Sequence, residues 1–468
     1  MLTYILDKSE KRTLTKQLYE GIKRDILTGK LLSGEKLPSK RVLSQNLKIS
    51  VITVENAYEQ LLAEGYITSR QRSGYYVSRI DARPSYTEDV TPCYDQSPDV
   101  GTETPVVMDF RTNRICDSGF PCTVMSRIMR QVLAEKRGLL EPLEFSGVKE
   151  LREAIARYLY RFREISVSPD QIVVGAGTEY LYHLIIQLLG RDKCYALETP
   201  GYNKIARIYG CNNVDYRYLP VDKEGISAEH LQSTDAHIIH ISPSHHFPTG
   251  VVMSIGRRQE LLRWAEESED RYVIEDDYDS EFRFSGQPIP PLYSMDAKKV
   301  IYINTFSKSI TPAVRISYMI LPQQLMEKYK RNMSFYSCSV SGIDQYMLAR
   351  FISEGYFERH INRMRTQYRA KRDGLINALK ESSFSTKITI SEENAGLHFL
   401  MKIKTRISDR EFARRAESLG LRVAFLSEYM QEFSEEAQHT MVVNYSGMEE
   451  ENLPQAMQIL ADVLDIKQ

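Results

Sequence analysis

The sequence predicts two folds in series: a small winged helix-turn-helix, then a large α/β domain built on a mostly parallel sheet. Three observations carry that prediction. Short helical periodicities end at a basic turn before residue 80, and an acidic, proline-bearing stretch follows. From residue 171 onward, apolar runs alternate with amphipathic helical segments, the pattern of a sheet with helices on both faces.

A chain of 468 residues is too long for one average domain. Its 42% hydrophobic and 26% charged residues are ordinary for a globular protein, so a large core can form. The net charge of −1 hides a local asymmetry. Residues 1–80 hold 14 Lys+Arg against 8 Asp+Glu, a net of +6, whereas 81-DARPSYTEDVTPCYDQSPDVGTETP-105 holds one Arg and six acids, a net of −5. With four prolines and few aliphatic side chains, this stretch cannot bury enough apolar surface to offset its ordering entropy, so residues 81–106 are expected to be a linker. Six scattered cysteines without a C-x-x-C indicate a reducing compartment, no disulfide framework and no metal site. MLTYILDKSEKRT has no basic region before an apolar core, and no run approaches membrane-spanning length. The expectation is a cytoplasmic protein with no membrane partner.

In 14-LTKQLYEGIKRDIL-27 the residues Leu14, Leu18, Ile22 and Ile26 mark one helical face. Gly34 and Pro38 then break the chain, and Ser39 caps a short second helix expected to carry Val42, Leu43 and Leu47 inward. Ser50 caps a third helix whose apolar set is Val54, Ala57, Tyr58, Leu61 and Leu62. Strand-like pieces around Ile67 and 75-YYV-77 flank the basic turn 69-SRQRSG-74. Three helices and a basic hairpin in this order form a winged helix-turn-helix, whose third helix enters a major groove. The plainer reading is a solvated cationic surface. The element order, the +6 balance and the wing cations together favour double-stranded DNA as partner. The expected contacts are Ser39, Lys40, Arg41, Ser50, Thr53, Asn56, Arg70, Arg72 and Gly74, with Val51 and Ile52 also outward on the third helix.

The strand candidates of the second part are 171-QIVVGA-176, 194-CYALE-198, 237-HIIHIS-242, 272-YVIED-276, 300-VIYIN-304 and 317-SYMIL-321. Helical stretches such as 178-TEYLYHLIIQLLG-190 and 254-SIGRRQELLRWAEESED-270 lie between them. Ligands of such sheets bind at the carboxyl ends of strands. There the sequence places Gly177 and Thr178 at a helix start, where an anion is stabilised. Asp276 and Tyr278 stand two apart, and Thr305, Ser307 and Lys308 are followed by Arg315. An anion site, a carboxylate with a phenol, and a lysine are the parts that bind pyridoxal 5'-phosphate (PLP). Lys308 would form the Schiff base, Arg315, Thr305, Ser307, Gly177 and Thr178 would surround the phosphate, Asp276 would pair with the pyridinium nitrogen, and Tyr278 would bond the ring oxygen. Taken singly, each has a blander reading: a surface lysine, an Arg315 paired with Asp276 or Asp277, a core tyrosine.

The head resembles the GntR-type winged helix through LPSKRVLSQNLKISVITVENAYEQLLAEGYI and RSGYYV. Residues 107–468 resemble fold-type-I aminotransferases related to aspartate aminotransferase, through 146-SGVKELREAIARYL-159, 175-GAGTEYL-181, 199-TPGY-202, 242-SPSHHFPTG-250, 275-EDDYDSEF-282 and 305-TFSKSITPAVRISYM-319. Joined to a GntR-like head, these versions resemble the MocR-type, GabR-like regulators. The resemblance implies a PLP-binding transcriptional regulator, assembled as a head-to-tail, domain-swapped homodimer. Its parts would be a DNA-binding domain (1–80), the linker, and an aminotransferase-like domain (107–468) with a large subdomain at about 140–345 and a small one at about 107–139 plus 346–468.

Four positions depart from the patterns. Val51 follows Ser50 where such heads carry Arg, which removes a phosphate or guanine contact. Phe247 stands where aminotransferases place Asn against the ring oxygen. In 440-TMVVNYSGMEEENL-453 the arginine that clamps a substrate carboxylate is missing. Lys204 replaces an arginine shortly after Tyr202 of the PGY turn, and lysine cannot reproduce a bidentate fork. Arg422, Lys204 and Tyr202 are the expected contacts for an amine or amino-acid effector, with a solvated Arg422 as the alternative. Turnover is left open: the missing clamp favours a regulator with at most half-transamination, and the intact Lys308, Asp276 and Tyr278 keep open an aminotransferase with an appended head.

Overall fold

A computed structural model describes residues 12–80, 105–112, 120–135, 141–284 and 289–465, together with Thr3, Tyr4, Leu6, Asp7 and Leu139. Most of the expected linker, 81–104, lies outside the described residues. The chain divides into two compact units, Met1–Gly101 and Thr102–Gln468. Among the described residues, no helix is long and apolar enough to cross a membrane.

The first unit contains α1 (Leu14–Leu27), α2 (Lys40–Leu47), α3 (Val51–Ala63), β1 (Ile67–Arg70) and β2 (Gly74–Val77). Each helix begins at a hydroxyl. Thr13, Ser39 and Ser50 accept hydrogen bonds from the backbone N–H groups of Lys16, Val42 and Thr53, which would otherwise be unpaired. Lys48 takes a left-handed conformation at φ 54°, which ends α2 and turns the chain into α3. Leu18, Ile22, Leu43, Val54, Ala57, Tyr58 and Leu61 make the buried core. Val42 corrects an expectation, since it is 45% exposed. On this short helix Leu43 and Leu47, four apart, share the inner face, and Val42 lies about 100° round from Leu43. The hairpin pairs Ile67 with Val77 and closes at Arg70 opposite Gly74.

The second unit begins with β3 (Met108–Asp109), α4 (Cys122–Glu135), α5 (Lys149–Arg163), β4 (Ile172–Gly175), α6 (Thr178–Leu189), β5 (Tyr195–Thr199), α7 (Asn203–Cys211), β6 (Tyr216–Asp222), β7 (Gly225–Ile226) and α8 (Ala228–Gln232). It continues with β8 (Ile238–Ile241), α9 (Ile255–Glu266), β9 (Tyr272–Asp276), β10 (Val300–Thr305), β11 (Ser317–Ile320), α10 (Gln323–Met333), α11 (Gly342–Ser353) and α12 (Tyr356–Glu381). The last elements are β12 (Ile388–Ser391), β13 (His398–Ile403), α13 (Asp409–Ser418), β14 (Leu421–Arg422), β15 (Thr440–Asn444) and α14 (Leu453–Val463).

Eight strands form one sheet in the order β4-β11-β10-β9-β8-β5-β6-β7. From β10 across to β6 every neighbouring pair is parallel, whereas β11 is antiparallel to both of its neighbours, β10 and β4. Strands β4, β8, β10 and β11 are buried along their whole length because both faces are covered, whereas β6 near the edge is largely exposed or half-buried. On β10, Val300 and Tyr302 enter one core cluster while Ile301 and Ile303 enter the other, and Ile172/Val174 against Val173 on β4 repeat the alternation. The C-terminal region adds the antiparallel sheet β12-β13-β15. It also returns to the start of the unit, where β14 pairs with β3 through Leu421↔Met108 and Arg422↔Asp109.

One charge pair lies inside this core. Arg163, the last residue of α5, donates to the Asp277 carboxylate at 2.5 Å, with side chains only 3% and 1% exposed, and the Tyr302 hydroxyl donates to the same oxygen at 2.6 Å. Removing one partner leaves an uncompensated buried charge. Asp277→Ala is expected to destabilise the large unit by about 3–5 kcal/mol, read as a lowered denaturation midpoint, whereas an Arg163→Met, Asp277→Leu double variant recovers much of that loss.

Candidate cofactor site and nucleic-acid interface

The sheet's handedness of travel assembles the site. Because β11 runs against β10 and β4, Ser317 lies opposite both Thr305 and Gly175, and Asp276 pairs with Ile303 next door. The ends of β4, β9 and β10 and the start of β11 therefore share one edge. Gly177, Asp276, Tyr278, Thr305, Ser307, Lys308 and Arg315 all leave from it.

Successive residues at the end of β9 face opposite ways. Asp277 points to Arg163, and Asp276 points to the α6 side, where the Tyr182 hydroxyl donates to its Oδ2 at 2.5 Å. His240 Nε2 stands 3.7 Å from the same oxygen. The other oxygen, Asp276 Oδ1, is buried and has no hydrogen-bond partner. The Tyr278 hydroxyl lies 3.3 Å from His245 Nδ1. Burial pushes the Tyr278 phenol well above its ordinary value, and the charges of Asp279 and Asp276 push the same way.

Lys308 sits in the turn after β10. Burial pushes its amine below the ordinary lysine value, and the Asp279 charge opposes that shift. Loss of the proton is what makes an amine nucleophilic. Around it Thr305 donates to Ser307 Oγ at 2.9 Å, and Ser317 donates to Thr305 Oγ1 at 2.8 Å.

Gly177, the residue before α6, has φ 93°, and a Cβ there would lie 2.4 Å from the Arg315 guanidinium. Only glycine fits at that position. Arg315 does not pair with Asp276 or Asp277. Its Nη2 donates to the carbonyl of Ala176 at 3.3 Å and to Glu179 Oε2 at 2.8 Å. Lys204 bonds the other oxygen of Glu179. Lys204, then Arg315, hold the Glu179 carboxyl below its usual range. Glu179, in the first turn of α6, thus places a carboxylate of the chain beside the helix start where an anion is favoured.

Tyr202 is half exposed and packs edge-on against Phe247, which also meets Tyr429 and His398 at 5.2 Å each. Phe247 is thus part of an aromatic cluster and offers no hydrogen bond. Arg422 lies opposite Asp109 on the β14–β3 ladder, with its Nε 3.4 Å from Glu417. Residues that sequence reasoning missed include Tyr182, His240 and Glu179. The helical spacing of Tyr182 four after Thr178 could have flagged it.

On the first unit, Arg41, Val51, Ile52, Asn56, Arg70 and Arg72 are exposed. The Ser50 and Thr53 hydroxyls bond each other at 2.7 Å. Arg70 stacks on the Tyr76 ring, 4.5 Å from its centroid, and Arg72 and Gly74 take positive φ at 58° and 106°. Lys40 pairs with Glu55 and so ties α2 to α3.

Fold and site together define the class: a winged helix-turn-helix joined to a fold-type-I aminotransferase-like domain. The bacterial regulatory proteins, gntR family, match residues 14–77, and the aminotransferase class I and II family matches residues 105–460. The chain is 37% identical over 426 residues to the HTH-type transcriptional regulator YdeL of Bacillus subtilis (strain 168), covering 90% of this chain and 91% of that protein. It is 30% identical over 471 residues to the probable rhizopine catabolism regulatory protein MocR of Rhizobium meliloti, with 97% and 94% covered. A crystal structure of a multiple substrate aminotransferase from Thermococcus profundus superposes with a TM-score of 0.67 at 23% identity, covering 78% of this chain and 92% of that one, and shows the fold alone. The chain belongs to the MocR-type HTH-type transcriptional regulators. Its head implies DNA binding, and the fold of its large unit is that of a PLP-dependent enzyme family.

Beside the site, Glu198 on β5 accepts from the Ser242 N–H at 3.0 Å and lies 3.5 Å from His246 Nε2. Burial pushes Glu198 up to about 8 and His246 down to about 3, so the pair is neutral near pH 7. A carboxyl raised from 4.5 to about 8 contributes stability that is complete below pH 4.5 and lost as pH rises through 8. Glu198→Gln is expected to flatten the fall in thermal midpoint between about pH 5 and pH 8; an unchanged slope would rule out this carboxyl as its source.

Proposed function

We propose that this transcriptional regulator binds PLP at Lys308 and uses the occupied site, alone or with an amine or amino-acid effector, to control its binding to an operator. The observation that carries the reading is Asp276. One of its oxygens is held by Tyr182, and the other is buried without a partner beside the edge that carries Lys308. An unpartnered buried carboxylate oxygen is costly unless a donor arrives, and a protonated ring nitrogen is such a donor.

PLP supplies an aldehyde that couples to an amine. Asp276 would hold the ring nitrogen protonated, Tyr278 would bond the ring oxygen, and Lys308 would present an amine whose proton affinity burial lowers. Gly177 and Thr178 at the start of α6, with Thr305, Ser307 and Arg315, bind the phosphate. The phosphate competes with Glu179 for Arg315. Lys204, Tyr202 and Arg422 contact the effector. On the head, Ser39, Lys40, Arg41, Arg70, Arg72 and Gly74 meet the backbone, and Ser50, Thr53 and Asn56 face the major groove. Val51 and Ile52, exposed at the start of α3, suit thymine methyl groups. The chain works as a cytoplasmic head-to-tail homodimer, in which differential affinity of the ligand for two arrangements resets the spacing of the heads. A second reading, an aminotransferase with an appended head, rests on the same Lys308, Asp276 and Tyr278. Phe247, which gives the ring oxygen no hydrogen bond, speaks against it.

Protein mixed with PLP is expected to show a visible absorbance band that Lys308→Ala abolishes, and to retard its own upstream DNA in a gel shift. Steady turnover of an amino donor with a keto acid would favour the second reading instead. Glu179→Gln frees Arg315 from an exposed ion pair, so PLP affinity is expected to rise roughly two- to fivefold, measured by titrating the band. Arg70→Ala is expected to weaken DNA binding across sequences and to reduce the slope of affinity against salt by about one phosphate contact.

A further inference from the structure

Phe247 gives a PLP ring oxygen no hydrogen bond, so that contact falls to the Tyr278 hydroxyl, whose one hydrogen can serve one acceptor. Its surroundings decide where that hydrogen goes. The hydroxyl lies 3.3 Å from His245 Nδ1, and the same nitrogen stands 2.9 Å from Asp279 Oδ2 and 3.2 Å from Oδ1. An ionised carboxylate only accepts, so the imidazole hydrogen sits on Nδ1 and points at Asp279. Nδ1 then has no lone pair with which to take the phenol's hydrogen. The acceptor within the chain is Asp279, which holds a hydrogen bond from Tyr278 as well.

One buried carboxylate thus has two donors. Asp279 is 2% exposed and His245 4%, so bulk water is no substitute for either donor. A buried carboxylate that loses its hydrogen bonds is costly. With His245 in place, Tyr278 can turn away from Asp279 and the carboxylate keeps a donor. The backbone is built to hold this pair. Gly396, at φ 71°, presses on it: a Cβ there would collide with the His245 ring and come within 2.7 Å of Asp279 Oδ2. Gly396 is itself fixed from both sides, its N–H donating to the Phe282 carbonyl at 3.0 Å and its carbonyl accepting from the Tyr445 hydroxyl at 2.6 Å. His245 Nε2, in contrast, is buried without a partner, so Nδ1 is what orients the ring. The Asp279 charge also acts on the Lys308 amine, against the effect of burial, which ties the pair to the cofactor site.

We propose that His245 is a positioning residue for PLP: its Nδ1–H keeps Asp279 satisfied, and the Tyr278 hydroxyl is thereby free to donate to the ring oxygen. This role rests on the reading that PLP binds at Lys308. In the free chain Tyr278 bonds Asp279, and in the bound chain it bonds the ring, while the His245–Asp279 contact is the same in both. A site with Phe247 in place of Asn then holds the ring oxygen with one aimed donor.

The test is a double-mutant cycle on the full-length chain, with PLP affinity read by titrating the visible band and folding checked by the thermal midpoint of the PLP-free protein. Tyr278→Phe is expected to lower affinity about tenfold, and His245→Gln roughly three- to fivefold. In the Tyr278→Phe and Asp279→Asn backgrounds, His245→Gln should change affinity less than about twofold. His245→Asn, whose Nδ2–H can take the place of Nδ1–H, should stay within about twofold of the wild type. Equal losses from His245→Gln with and without Tyr278, or a loss from His245→Asn as large as from His245→Gln, would overturn this role and leave the PLP reading standing. Should His245→Gln fail to fold, Tyr278→Phe and Asp279→Asn decide between themselves: their effects must be non-additive, and additive effects would overturn the role too. No band in the wild-type chain would overturn both it and the PLP reading.

Discussion

The buried Arg163–Asp277 pair is the constraint on which the site depends. It fastens the end of β9 from one face of the sheet, with Tyr302 donating to the same carboxylate. Because neighbouring strand residues alternate, fixing Asp277 aims Asp276 at the opposite face, toward Tyr182 and His240. Two adjacent aspartates thereby take different tasks: one is ion-paired with Arg163, and the other keeps an oxygen without a partner.

Electrostatics at the other end of the site runs through Glu179. It joins Lys204 and Arg315 across the start of α6, so the favourable position for an anion has a competitor belonging to the chain itself. All three side chains are a third to a half exposed, and an ion pair in such a setting contributes little. A competitor held this weakly can be displaced by an anion at little cost. The deeper cluster of Glu198, His246, His245, Asp279 and His398 differs in kind. It is largely buried and sensitive to any group that would satisfy its unpartnered atoms.

Much of this was legible in advance. Hydroxyl caps and four-residue spacing announced the three head helices, and Leu43 and Tyr58 are buried as their spacing required. Val42 was not, because apolar character alone does not say which side of a two-turn helix faces in. Lys40, an expected DNA contact, also pairs with Glu55, a contact between helices that no local pattern reveals. Likewise, Arg315 precedes its strand, and only the antiparallel course of β11 brings it to the edge where the other strands end.

What the sequence by itself determined is therefore local or periodic: the helix caps, the alternation of strands and helices, and the residue types at strand ends. These follow from backbone hydrogen bonding and side-chain periodicity, which act over a few residues. What only the tertiary structure decided is which distant groups share a neighbourhood. Glu179 between Lys204 and Arg315, Asp276 with Tyr182, and His245 facing His398 across 153 positions are set by strand order and direction, and these come from packing the whole sheet.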